Sequence, residues 1–184
     1  MSEDDQLLLN YARRDDLASL SALVSRTAQS LKAYLRGMTA CDADAEDAFQ
    51  ECWMRIIKSN RSYRGGSAKA YLMRVARSVA IDKLRRRGQP TVSLDSEEAE
   101  DWAAAETIEG TMPAAAFEAK VDAETIRQAI RALPLRQREV LLLRIEGELP
   151  FKEIAEELAI PLGTALTRMR TATDSLRKLL EERR

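Results

Sequence analysis

The chain has 184 residues, 45% of them hydrophobic, with a formal net charge of −1, enough apolar material to bury the core of one or two small domains. It holds no histidine, and its two cysteines, Cys41 and Cys52, form no Cys-x-x-Cys pair, which excludes His-based catalytic triads and the usual Cys/His zinc sites. Apolar runs such as VLLL at 140–143 fall far short of the roughly 20 residues that span a bilayer, and the acidic start MSEDDQ is unlike a basic-then-apolar secretory signal, so a cytoplasmic protein without membrane insertion is expected.

Outside residues 89–118 nearly everything reads as helix, no alternating strand pattern survives, and the expected fold class is all-α. The segment DAEDAFQECWMRII (44–57) sets Ala45, Ala48, Phe49, Cys52, Trp53, Ile56 and Ile57 on one apolar stripe at the 3.6-residue repeat. Asp42 or Asp44 is expected to cap this helix. Glu46, Asp47, Gln50, Glu51 and Arg55 are left outside. With no matching ligands elsewhere, these acids read as a solvated or partner-binding face, not as a metal or general acid/base site. Cys52 reads as a small core residue.

Charge is unevenly divided along the chain. Residues 61–88 carry nine Lys/Arg against the single acid Asp82, whereas 89–118 carry eight acids and no base. A basic block abutting an acidic one fits a nucleic-acid surface followed by a different kind of segment, or two solvated charged surfaces. The basic helix is predicted from about Ser67 to Arg87, with Leu72, Val75, Ala76, Val79 and Leu84 inward. Arg74, Arg77 and Arg85 fall close to one line on its other side, as tracking a phosphate backbone requires. Before it, NRSYRGGS (60–67) holds paired glycines between Tyr63 and Tyr71. Aromatics interleaved with cations either stack on single-stranded bases or are half-buried packing residues.

Residues 89–118, with Pro90, Pro113 and the eight acids, show no sustained apolar period and read as a linker or weakly structured segment. Beyond it, helices are predicted from Asp122 to Ala132 and over LRQREVLLLRIE, the latter ending at the C-cap candidate Gly147. Then comes FKEIAEELAIPLGTALTRMRTA (151–172), in which Pro161 and Gly163 interrupt an otherwise continuous amphipathic pattern. A short helix 151–158 with Ile154, Ala155 and Leu158 inward, a turn at Ala159, Ile160 and Pro161, and a second helix from Leu162 or Gly163 make a helix-turn-helix. In that geometry Thr164, Leu166, Thr167, Arg168, Arg170 and Thr171 face the major groove, while Ala165, Met169 and Leu176 hold the core. A generic two-helix packing unit is the alternative.

Three stretches in this order, DAEDAFQECWMRI, YRGGSAKAYLMRVARSVAIDKLRRR and LPLRQREVLLLRIEGELPFKEIAEELAIPLGTALTRMRTATDSLRKLL, resemble bacterial RNA polymerase sigma factors of the extracytoplasmic-function group over nearly the whole chain. The resemblance implies a sigma region 2-like domain at 1–88, an acidic linker at 89–118 and a sigma region 4-like domain at 119–184. It assigns Asp44, Glu46, Asp47, Gln50, Glu51 and Arg55 to binding the clamp helices of the polymerase largest subunit. It assigns Asn60, Arg61, Tyr63, Arg64, Ser67, Lys69, Tyr71, Arg74, Arg77 and Ser78 to the −10 element and strand opening, where a preformed pocket offsets the few kcal/mol of base unstacking. The helix-turn-helix residues would read the −35 element and bind the flap of the second-largest subunit. It further implies an anti-sigma partner, no cofactor, no metal and no enzymatic activity.

Some positions depart from the family pattern. Tyr71 stands where Trp is common, Ser78 where Asn is common, Pro150 where Ser or Thr usually caps, and Leu166, Thr171 and Thr173 where relatives are often basic. Two other readings remain at this point: a duplex-binding regulator independent of polymerase, and a core-binding decoy without promoter recognition.

Overall fold

The computed structural model describes residues 1–59, 63–88 and 122–182. Among them there are helices and no strands: α1 (Glu3–Arg14), α2 (Leu17–Met38), α3 (Asp42–Lys58), α4 (Ala68–Arg86), α5 (Ala123–Ala132), α6 (Leu135–Ile145), α7 (Phe151–Leu158) and α8 (Leu162–Glu181). The acidic segment 89–118, Asn60 and Arg61 lie outside the described residues.

Local chemistry sets the helix starts. Ser2 and Asp5 close a capping box on α1, and Asp16 caps α2 through the N–H groups of Ala18 and Ser19. Ser67 caps α4 and Asp122 caps α5, each satisfying a donor that the helix itself cannot. The expected cap of α3 is corrected: Cys41 occupies the N-cap position without a side-chain bond, and Asp42 and Asp44 lie within the first turn, where they complement the helix dipole instead.

In the N-terminal group, α1, α3 and α4 pack on the long α2 around Leu8, Leu23, Leu31, Tyr34, Leu35, Cys52, Ile56, Leu72, Ala76 and Val79, all at most 1% exposed. Burying a leucine or isoleucine of this kind stabilises by about 1.5–3 kcal/mol. The α3 stripe is corrected at its end, because Ile57 is 42% exposed. At 100° per residue it stands about 120° around the helix from Ala45, past the edge of the buried sector. Likewise Val75 is only partly buried, and Met73 takes the inward position.

In the C-terminal group, α5–α8 pack around Val140, Leu141, Leu143, Ile154, Ala165 and Ala172. The α7–α8 break is the expected helix-turn-helix, with Ala159 left-handed at φ 52 and Pro161 at the N-cap of α8. Gly147 is not the left-handed residue after α6; that conformation belongs to Glu148, at φ 49. Glycine is required at 147 for space, since a Cβ there would stand 2.5 Å from the Leu143 carbonyl oxygen and 3.2 Å from Met73 Cγ.

Met73 belongs to α4, so this close approach also joins the two groups. On α2, a Cβ at Gly37 would lie 2.7 and 2.8 Å from the two methyls of Leu142 in α6. The two helical groups thus share one continuous apolar core.

Candidate nucleic-acid and partner interfaces

The acidic face lies on α3, turned away from α2 by the burial of Ala45, Ala48 and Cys52. Asp47 keeps 71% of its side chain in solvent, with Lys83 at 3.7 Å. Glu46 accepts from Lys32 at 2.9 Å, Asp44 pairs with Arg87 at 2.8 Å, and Gln50 is exposed. Arg55 is placed differently: it bridges Glu51 on its own helix, Asp82 at 2.8 Å and Ser78 at 3.1 Å on α4. The hydrogen bond to Asp82, against partial burial, holds its guanidinium above its ordinary pKa. This bridge fixes α3 against α4, and Ser78 is engaged in it.

Sequence reasoning missed two apolar members of the α3 surface. Met54 is 52% exposed and Ile57, three residues on, is exposed as well, on the helix that carries the acids Asp47 and Glu51. Such an apolar anchor with a charged rim is the composition of a protein interface. The angular position of Ile57 was the available signal.

On α4, Lys69, Arg74 and Arg77 meet the C-terminal group, with 64% of the Arg74 side chain and 22% of the Arg77 side chain exposed. The turn before α4 runs through Gly65 at φ 114 and Gly66 at φ 106, conformations that side chains rarely adopt. It folds back so that the Tyr63 hydroxyl donates to the Gly66 carbonyl at 2.7 Å and the Tyr63 and Tyr71 rings lie 5.3 Å apart. Tyr63 is buried, so of the two readings of the tyrosines, packing holds for this one. Tyr71 is half-buried, with its hydroxyl 3.1 Å from the Ser59 hydroxyl, while Arg64 and Ser67 stand exposed at the turn. Below them the N–H of Ala68 donates to the Asp5 carboxylate of α1 at 2.8 Å, so a protein carboxylate occupies a helix N-terminal donor that would suit a phosphate.

The cations of α4 meet α6, α7 and the connection between them. Arg74 donates to Glu157 and Arg77 to Glu139, both at 2.7 Å, and Lys69 pairs with Glu148. Burial pushes the Glu139 carboxyl above its ordinary range despite the attraction of Arg77 and Arg168. Sequence reasoning missed these acids as well. Glu139 follows Leu135 by four residues and precedes Leu142 and Leu143 by three and four, placing a carboxylate on an apolar stripe; that was its signal.

On α8, Thr167 and Arg170 are exposed, and Thr164 and Leu166 are half-buried. Arg168 is half-buried and its charge acts on Glu139. The Thr171 hydroxyl donates to the carbonyls of Thr167 and Arg168 at 3.1 Å, which commits its proton to the helix and leaves Arg170 as the exposed cation among the expected base-reading residues. Among the described residues, no cluster of three or more His, Cys, Asp or Glu could hold a metal ion.

An all-helical pair of groups, one with an acidic face on α3 joined to the basic helix α4 and the other a helix-turn-helix, defines a sigma-70-type factor, and comparison with known proteins agrees. Residues 23–89 match the family model for sigma-70 region 2, and residues 123–172 match that for sigma-70 region 4. The chain is 32% identical over 144 residues to the ECF RNA polymerase sigma factor SigW of Bacillus subtilis, covering 76% of each. It is 30% identical over 180 residues to the ECF RNA polymerase sigma factor RpoE of Cereibacter sphaeroides, covering 95% of this chain and 94% of the relative. Among solved structures, the fold is similar to the sigma factor RpoE of Bartonella quintana in complex with the anti-sigma factor NepR, with TM-score 0.67, 21% identity, and coverage of 90% of this chain and 98% of that one. The chain belongs to the extracytoplasmic-function group of the sigma-70 family. It is accordingly a promoter-specific subunit of transcription initiation, in a family of non-enzymatic regulatory subunits.

Proposed function

We propose that this sigma factor, acting in the cytoplasm and without chemistry of its own, docks α3 on the clamp helices of core RNA polymerase and applies α4 to the −10 element. The carrying observation is that the two surfaces sit on helices bridged into one unit. The Arg55 bridge to Asp82 and Ser78 fixes the exposed acids of α3 relative to α4, the helix that bears Lys69, Arg74 and Arg77. A polymerase bound to α3 therefore positions DNA on α4. Asp44, Glu46, Asp47, Gln50 and Glu51 form the docking rim, with Met54 and Ile57 as its apolar centre.

At the −10 element, cations hold phosphates while Tyr71, supported from behind by Tyr63, presents a ring to an extruded base; Asn60, Arg61, Arg64 and Ser67 complete the strand path. Binding energy from phosphate contacts and stacking offsets the few kcal/mol of unstacking. Thr164, Leu166, Thr167, Arg168, Arg170 and Thr171 of α8 face the −35 element, and the C-terminal group meets the polymerase flap. An anti-sigma protein is the expected restraint, as in the solved complex with NepR.

The test separates the two surfaces. Asp47→Lys/Glu51→Lys should abolish co-purification with core polymerase. Arg74→Glu/Arg77→Glu should retain core binding and lose promoter opening, read by permanganate reactivity of unpaired thymines. Core binding that survives the α3 reversal would refute this docking assignment.

A further inference from the structure

The DNA-facing cations of this chain are already held by its own carboxylates. Glu157 takes Arg74 and Glu139 takes Arg77, with the glutamate side chains only 5% and 8% exposed, and Glu148 takes Lys69. Around these pairs the two groups are joined without charge, by Leu142 against Gly37 and Met73 against Gly147. On a further side, Arg131 donates to the Arg36 carbonyl and pairs with Asp42 at 3.0 Å, while Arg138 reaches the Met38 carbonyl. The last carbonyls of α2, which no N–H of that helix can serve, are thus met by the C-terminal group.

Three glutamates spaced along α6, the connection and α7 offer the cation row what a nucleic-acid backbone offers, anionic oxygens in sequence along a helix. Buried ion pairs hold domains together no better than apolar residues of the same volume. They differ in being exchangeable, since an arginine leaving a carboxylate for a phosphate keeps its charge-assisted hydrogen bonds. We infer that Glu139, Glu148 and Glu157 form an intramolecular latch: they occupy Lys69, Arg74 and Arg77 in the free chain and keep α4 from nucleic acid until the two helical groups separate. The inference rests on the proposed role of those cations toward DNA.

The test uses the full chain, comparing the radius of gyration from small-angle scattering with binding of a fluorescent single-stranded oligodeoxynucleotide of mixed sequence. Two openers are compared. E139Q/E148Q/E157Q removes the carboxylates, and Gly37→Leu drives a side chain into Leu142 without changing charge; circular dichroism checks that both remain helical. E156Q/E181Q/E182Q, at exposed glutamates outside the three pairs, matches the charge change of the first.

The wild type should lie within a few ångströms of the ~16 Å of a compact chain of this length, and both openers should expand. Each should bind the oligonucleotide about tenfold more tightly, the gain expected if about a tenth of the wild type is open, and Arg74→Glu/Arg77→Glu should cancel that gain. An expanded wild type, or openers that bind no better than the charge-matched control, would overturn the latch. Openers that gain affinity but support no promoter-dependent transcription with core polymerase would leave the latch standing and count against the sigma role of α4.

Discussion

Cys52 and Cys41 show how environment separates two copies of one residue. Cys52 is fully buried, and burial pushes its thiol up to about 12, so thiolate is nearly absent at neutral pH. Cys41 is half-buried, with Arg87 3.9 Å from its sulfur. Iodoacetamide at pH 8 should therefore label Cys41 and spare Cys52 until the chain is denatured, as read by peptide mass spectrometry. Labelling of Cys52 in the folded chain would contradict this. Spacing on the α3 stripe sufficed to place Cys52 in the core. No spacing marks the need for a bare backbone at Gly147, where a Cβ would meet the Leu143 carbonyl oxygen of α6 first and Met73 of α4 second. Gly147→Ala should cost on the order of 1–3 kcal/mol in denaturant unfolding, because the atom in the way is a backbone oxygen.

Among the elements, α4 depends most on a distant residue. The Asp5 carboxylate binds the Ala68 N–H from α1; partial burial raises it, but hydrogen bonds from the Ala68 and Ser2 N–H groups and the Ser2 hydroxyl leave it below its ordinary value. A carboxyl lowered on folding contributes stability that is present above about pH 3.9 and is lost as the pH falls through the lower folded value. Asp5→Asn should therefore lower stability at pH 6 and flatten the loss between pH 5 and pH 3, measured by urea unfolding across that range. Sequence reasoning placed the start of α4 correctly through Ser67 but not its second capping group, because a contact 63 residues away leaves no local period. On α8, uncharged Leu166 and Thr171 stand where relatives are often basic, and fewer phosphate contacts mean weaker, less salt-sensitive duplex binding. Leu166→Arg/Thr171→Arg in the holoenzyme should tighten promoter binding and steepen the log K against log salt slope by about 0.9 per new phosphate contact. An unchanged slope would mean that these positions do not face the duplex.

Across the whole molecule, the helical class, the α3 and α4 surfaces and the helix-turn-helix were legible, because each is a one-helix pattern of apolar and charged residues. The relation between the groups was not. It rests on Gly37 meeting Leu142 and on Glu139 and Glu157 meeting Arg77 and Arg74, pairings separated by 62 to 105 positions in the chain. The cation row that sequence reasoning gave to DNA is, in this conformation, paired with the protein's own acids, and under the proposed latch promoter engagement requires their exchange.

The most direct measurement mixes the purified protein with bacterial core RNA polymerase and pooled genomic fragments from its source, then sequences transcript 5′ ends, with core alone as control. The account predicts defined starts that share two spaced upstream motifs and disappear with Arg74→Glu/Arg77→Glu. Core binding without defined starts, or starts unaffected by that substitution, would contradict it.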